Sequence, residues 1–280
     1  MAGSNTFTFG EDSIEKWEDL YRLVEKYCKL TDPDKQWIFR AESSDKDLKS
    51  SLEVKLEGII KDRTKYLEME EKLIVEFMRR AHQYGFQLPL PHEREYWLEW
   101  LAVMRHFDAP TRLLDFSYSL YVVFYFAINT WRDGGKPVIW AVNAKNISIV
   151  KECEYKSGRY MSKWEKVRIL WRKLLDSPKH RVYTLNSYYL NPRQTIQQGL
   201  FMMPGDLRET FDSNIQNTFT LGLLEDGDIV KIRIKMNENK KEEWLLKLND
   251  MNINQATLFP DLGGFAEYLG KTGVYLAKHK

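Results

Sequence analysis

The chain has 280 residues, 43% of them hydrophobic and 14% aromatic. A chain of this length buries about three quarters of its unfolded surface, and its apolar content can offset the ordering entropy, which excludes a largely disordered protein. Forty-two Lys and Arg against 40 Asp and Glu leave a formal charge of +2, so affinity for nucleic acid or a membrane surface has to come from a local patch rather than the overall field.

In chain order, Ser13 is placed to cap a first helix running toward Leu30. Ile14, Trp17, Leu20, Val24 and Tyr27 recur at three or four and share a face, and Pro33 stops the helix. Trp37-Ile38-Phe39-Arg40 reads as a short strand. The spacing of Leu67, Leu73, Ile74, Phe77, Met78 and Ala81 predicts a second amphipathic helix from about Arg63 to Tyr84, and a third is expected over Glu93 to Arg105. Leu88-Pro89-Leu90-Pro91 is a loop, because proline restricts itself and its predecessor. After Pro110 the pattern changes. Thr111 to Phe116 is extended or turning, Leu120 to Trp131 is a buried helix behind a Ser119 cap, and Val138 to Val142 is a buried strand. Arg181 to Leu185, Gly199 to Met203 and Ile229 to Met236 add strands; in the last, Ile229, Lys231, Arg233 and Lys235 either lie opposite Val230, Ile232, Ile234 and Met236 or leave the strand's N-terminal end buried on both sides. Gly134-Gly135 and Gly263-Gly264 read as turns.

No linker divides the chain and no internal repeat occurs. The expected class is α+β, with small twisted β-sheets flanked by helices in a single domain over 1–280: a helical N-terminal part about 13–106 and a mixed α/β part about 107–280. Cys28 and Cys153 are too few to staple such a chain, so a reducing cytoplasm is the expected setting. Met1 to Asp12 lacks the features of a secretory signal. The longest apolar run, Leu120 to Ile128, is nine residues, short of a membrane span, so no membrane partner is expected. The histidines, His82, His92, His106, His180 and His279, are scattered and offer no metal spacing, and His82 reads as an ordinary helix-surface residue. The common nucleotide loops, the Gly-x-Ser-x-Gly elbow and His-Glu-x-x-His are absent.

Lys163 to Arg181 carries seven Lys or Arg against two acids, a local charge of +5. Trp164 and Trp171 could serve there as stacking platforms for nucleic acid. Their spacing with Val167, Leu170 and Leu174 instead favours a core-facing stripe with the basic groups solvated. The densest polar string runs from Arg105 to Ser119, Arg-His-Phe-Asp-Ala-Pro-Thr-Arg-Leu-Leu-Asp-Phe-Ser-Tyr-Ser. Within it Thr111, Arg112 and Asp115 supply a hydroxyl, a fork of donors and a carboxylate. A purely structural use of this string is an Arg112–Asp115 ion pair holding a turn.

This string resembles the central motif of the FRG-domain family, in which a histidine-glycine-proline segment leads into Thr-Arg-Leu-Leu-Asp-Trp and an aromatic helix. Three further pieces follow the same order. Phe39-Arg40-Ala41 resembles the Phe-Arg-Gly strand, Gln197-Gln198-Gly199-Leu200-Phe201 the Gln-Gln-Gly-x-Phe strand, and Leu258 to Gly264 the C-terminal Phe-Pro-Asp-Leu-x-Gly. Ala41 and Asp108 stand where the family has glycine, Phe116 where it has tryptophan and Leu120 where it has proline. The order of Arg40, Ser117-Tyr118-Ser119 before a helix containing Phe126-Ala127, and Gln197-Gln198 is also similar to ADP-ribosyltransferases that consume NAD.

The second resemblance implies NAD as substrate, and the scattered histidines give no expectation of a metal. The resemblance also implies a macromolecular acceptor (RNA, DNA or protein) and a toxin or defence role. Arg40, Ser117, Asp115 and Gln198 are the candidate catalytic residues. Arg40, His106, Thr111, Arg112, Tyr118 and Ser119 are the candidates for holding the nucleotide, with Arg40 on the pyrophosphate or nicotinamide ribose, Ser117 on the ribose, and Tyr118 or Phe116 stacked on nicotinamide. Such enzymes carry a glutamate where only glutamines stand here, so either Asp115 supplies the carboxylate or the scaffold binds a nucleotide without turnover. The alternatives are a non-catalytic nucleotide-sensing module and a nucleic-acid-binding module.

Overall fold

A computed structural model describes residues 8–28, 35–86, 91–154, 162–188 and 191–274. Most of the Leu88–Pro91 loop, the expected end of the first helix with Pro33, and His279 lie outside the described residues.

Seven strands, β1 (Gly10–Ile14), β2 (Trp37–Glu42), β3 (Leu114–Ser117), β4 (Val138–Asn143), β5 (Val182–Leu185), β6 (Gly199–Pro204) and β7 (Ile229–Ile234), form one mixed sheet. Its order is β1-β7-β4-β2-β3-β6-β5. β1 runs parallel to β7 and the other neighbours are antiparallel. The α+β class holds, with a single seven-stranded sheet in place of several small ones. The helices are α1 (Trp17–Tyr27), α2 (Ser51–Glu57), α3 (Tyr66–Arg80), α4 (Trp97–His106), α5 (Leu120–Asn129), α6 (Ile149–Glu154), α7 (Lys163–Asp176), α8 (Pro192–Ile196), α9 (Phe211–Thr220), α10 (Glu238–Asp250), α11 (Gln255–Leu258) and α12 (Leu262–Tyr268).

The N-terminal part is not purely helical. Ser13 does not cap a helix. It lies in β1 opposite Arg233, and α1 starts after Lys16, where the Asp19 carboxylate accepts the backbone N–H groups of Glu15 and Lys16. Ile14 is buried in the same core as Trp17, Leu20 and Tyr27, so a strand end continues the apolar spacing of the helix behind it. β2, from the same part of the chain, is a central strand. Gly263 and Gly264 lie in the first turn of α12 rather than in a turn between elements.

Alternation along the strands sorts their side chains onto two faces. On one face a continuous core spans the sheet: Ile38 of β2, Leu114 and Phe116 of β3, Val138 and Trp140 of β4, Leu200 and Met202 of β6, closed by Phe211, Ile215 and Phe219 of α9. The other face carries two separate cores. One packs α1, α5 and α10 over Phe39, Ile139, Ala141, Val230 and Ile232. The second packs α3, α4 and α7 against Tyr183, Leu185, Phe201 and Met203. α5 enters behind Ser119, whose hydroxyl accepts the Val122 N–H as expected for a cap.

The seam between these two cores falls between β2 and β3. β2 pairs with β4 through six residue pairs but with β3 only through Phe39 and Ser117. Beyond that pair the strands part. Arg40 bridges the opening, its Nη1 donating to the Asp115 backbone carbonyl at 2.9 Å.

Candidate functional site

A cleft of about 260 Å³ occupies this seam. Because side chains alternate along a strand, Asp115 and Ser117 leave β3 on the same face and both reach it, while Leu114 and Phe116 pack into the opposite core, from which Phe116 also borders the cleft. α4 contributes Ala102, Arg105 and His106 from one side, and α5 contributes Val123 and Phe126 from the other. β2 supplies Phe39, Arg40 and Ala41, and the turn around α8 supplies Arg193, Gln194 and Gln197. Phe259 closes the wall edge-on to Phe126.

Most cleft charges are held in place by partners. Arg40 Nε donates to Glu42 at 2.7 Å, so with its bond to the Asp115 carbonyl this guanidinium fixes the parted strands. The Asp115 carboxylate, half-exposed, accepts from Arg105 Nε at 2.7 Å. The expected Arg112–Asp115 pair does not form. Arg112 turns the other way and makes a bidentate pair with Glu70 of α3, with Nε at 2.9 and 2.8 Å from the two carboxylate oxygens, beneath the Trp171 ring. Both partners are sealed from water, so Arg112 lies outside the cleft and ties α3 and α7 to the start of β3.

Three more nucleotide-holding candidates also lie elsewhere. Thr111 is fully buried, its carbonyl accepting the Leu52 N–H and its own N–H donating to Ser51. Ser119 is spent as the α5 cap. Tyr118 points from the next strand position to Asn186, within hydrogen-bond distance, beside a second cavity of about 110 Å³. Ser117 borders the cleft but is buried. Its hydroxyl donates to the Gln197 carbonyl at 2.7 Å and accepts the Ser119 N–H, which makes it a latch between β3 and the α8 turn.

Gln198 is displaced from its expected place by its own backbone. At φ 49° it is left-handed, its carbonyl accepts the Tyr118 N–H, and its side chain is exposed outside the cleft lining. Gln197 and Gln194 face the cleft instead. Gln197 Nε2 donates to the Leu258 carbonyl at 2.9 Å. Gln194 is packed over Gly199, where an added Cβ would meet Gln194 Cγ at 3.0 Å. Sequence reading missed Gln194 and Arg193 because they precede the Gln-Gln-Gly string. The cue was Asn191-Pro192, a helix cap followed by proline, which begins a short helix and aims the next residues inward.

His106 has its pKa lowered, first by burial and then by the Arg193 guanidinium; Asp108 and Asp261 oppose this more weakly. Asp108, standing at the family's glycine, adopts φ 57°, a conformation that glycine takes freely and Asp tolerates. Ala41, the other glycine replacement, has no such conformation and presents a methyl group to the cleft.

Three of the seven basic residues of the Lys163–Arg181 segment are ion-paired within the fold. Arg168 meets Glu99 at 3.3 Å, and Lys179 and Arg181 both meet Glu152. Trp171 is buried as its spacing predicts, whereas Trp164 is only half-buried and borders the second cavity.

The fold and the site together define an α+β protein with an arginine- and amide-lined cleft set in the seam of a divided sheet. The FRG domain family model matches residues 35–135, which carry β2, β3 and α5, so this stretch of the chain is similar to an FRG domain. No curated protein and no solved structure matches it. The Gln197–Phe201 and Leu258–Gly264 strings lie beyond the matched span, yet Gln197 and Phe259 line the same cleft as Arg40 and Asp115. No group of His, Cys, Asp or Glu among the described residues is arranged to hold a metal ion, and no described helix is long and apolar enough to cross a membrane.

Proposed function

We propose that the cleft binds a nucleotide and acts as an NAD-consuming ADP-ribosyltransferase on a macromolecular acceptor. The observation that carries this reading is convergence: Arg40, Asp115 with Ser117, and Gln194 with Gln197 come from three separate stretches of chain and border one cavity whose apolar wall, Phe39, Val123, Phe126 and Phe259, suits a planar ring. In the reaction the bond between nicotinamide and the ribose breaks and the pyridine nitrogen leaves with the electron pair. Positive charge develops on the ribose, and an acceptor oxygen or nitrogen bonds to that carbon, releasing its proton to solvent. Asp115 is the carboxylate that the glutamines do not supply. At about 4 Å and an effective dielectric near 20 its charge contributes up to ~4 kcal/mol, about three decades in rate. Arg105 and Arg40 act as positioning residues that hold its side chain and its backbone.

The test is nicotinamide release from NAD, and label transfer from NAD to total RNA, DNA and protein. Asp115→Asn is expected to slow release by about three decades while leaving the melting temperature close to that of the parent. Absence of release and of transfer from the unaltered protein overturns the enzymatic reading. Thermal stabilisation by NAD without product identifies the alternative, a nucleotide-sensing module. Binding at 100 times Kd adds about 2.7 kcal/mol to the folded state.

A further inference from the structure

The cations of the cleft are not equivalent. Arg40 is taken by Glu42 and Arg105 by Asp115, whereas Arg193 has no carboxylate within ion-pair distance among the described residues. Its guanidinium lies over the Phe259 ring, 4.2 Å from the ring centroid, which holds the plane of the fork while leaving its N–H edges open. The next residue, Gln194, is 9% exposed, and its Nε2 is buried without a hydrogen-bond partner among the described residues. A buried donor left unsatisfied is costly, and such groups in folded proteins usually have a partner. Both residues line the cleft. An oxygen-rich anion is the ligand chemistry that satisfies both: charge and paired N–H groups at Arg193, and a neutral donor beside it.

We infer that Arg193 and Gln194 form the phosphate-reading corner of the cleft. Arg193 takes phosphate oxygens in a charge-assisted fork, and Gln194 Nε2 donates to an oxygen of the same ligand. This moves the anion-binding role from Arg40, whose charge is internally neutralised, to the α8 turn. It rests on the nucleotide reading for its choice of ligand but not for its chemistry, since inorganic pyrophosphate presents the same oxygens. The corner favours phosphorylated ligands over nucleosides, and the fork makes Lys an imperfect replacement for Arg.

The experiment titrates inorganic pyrophosphate, ADP-ribose, NAD and adenosine into the full chain and into Arg193→Ala, Arg193→Lys and Gln194→Ala, with calorimetry as the readout. Arg193→Ala is expected to weaken ADP-ribose and pyrophosphate about tenfold or more with adenosine unchanged, and Arg193→Lys to fall between. Gln194→Ala is expected to weaken the same two anions more modestly. Should it not fold, the half-buried Arg193 variants carry the test. If ADP-ribose and pyrophosphate bind Arg193→Ala as tightly as the parent, the inference is overturned and the nucleotide reading stands. If pyrophosphate binds in an Arg193-dependent way while NAD and ADP-ribose do not, the corner stands and the nucleotide reading falls. If the parent binds none of the anions, both fall.

Discussion

Arg112 and Glu70 face each other at 2% and 0% side-chain exposure, so their charges depend on one another for solvation. Removing one partner leaves a buried, uncompensated ion, a loss of about 3–5 kcal/mol. Glu70→Ala is therefore expected to lower the urea midpoint strongly, and the double replacement Glu70→Leu with Arg112→Met to recover most of that loss. Equal destabilisation by the single and double variants would contradict a coupled pair. The consequence for function is negative. The arginine that is most prominent in the family string holds helices together, while Arg40, Arg105 and Arg193 border the cleft and, of these three, Arg193 alone has no carboxylate partner among the described residues. The motif marked the neighbourhood correctly, but which of its residues reach the cleft depended on facing directions along four positions of backbone. Glu70, 42 residues earlier, claims Arg112 through a contact that no local spacing reveals.

Among the elements, the α8 turn and the chain from α11 to α12 decide the shape of the cleft. Asn191 caps α8 by accepting the Gln194 N–H, and Asp261 caps α12 by accepting the Gly264 N–H. Gly264 has no room for a side chain: an added Cβ would lie 2.1 Å from the Phe259 carbonyl oxygen. Gly264→Ala must push the turn open, with an expected cost of about 1–3 kcal/mol and a displaced Phe259 beneath Arg193. Gly58, at the end of α2 with a right-handed backbone and open space around it, is the control. There Gly→Ala is expected to be stabilising by roughly 0.4–1 kcal/mol. Urea unfolding of the two variants checks both, and similar midpoints for them would refute the steric account. Glycine doublets usually punctuate chains, so by sequence alone Gly263-Gly264 reads as a turn. Here the second glycine permits a helix start to pack against a preceding carbonyl, which is a tertiary requirement.

For the whole molecule, the seam matters because two cores on one face of the sheet meet across it. His106 lies at that seam with its imidazolium disfavoured, first by burial and then by Arg193. Its folded-state pKa lies below the ordinary value near 6.5, so the unfolded chain binds the proton more readily. There is therefore no penalty at pH 7 or above, and stability is lost as pH falls below about 6.5 toward the lowered folded value. His106→Gln is expected to remove that component, seen as a smaller difference between urea midpoints at pH 7 and pH 5. An unchanged difference would show that His106 is not the group responsible.

The sequence by itself determined the elements whose signal is local. β2 and β4 follow from short apolar runs, α3, α4, α5 and α7 from helical spacing with a Ser119 cap at α5, and the α+β class from their succession. It also placed the functional neighbourhood, since pieces of all four family strings border the cleft: Arg40, Asp115, Gln197 and Phe259. Only the tertiary structure decided that Gly10–Ile14 is a strand, because its partner β7 lies some 220 residues away in register, Gly10 opposite Val230. It alone decided that the sheet parts between β2 and β3, that Gln198 turns outward at a left-handed residue while Gln194 and Gln197 turn in, and that Arg193 has no acid within ion-pair distance among the described residues. The physical reason is common to these cases. Periodicity and capping report what a residue does with neighbours three or four positions away, whereas pairing of strands, burial of charge and the sharing of one cavity depend on contacts that the chain makes only when it is folded.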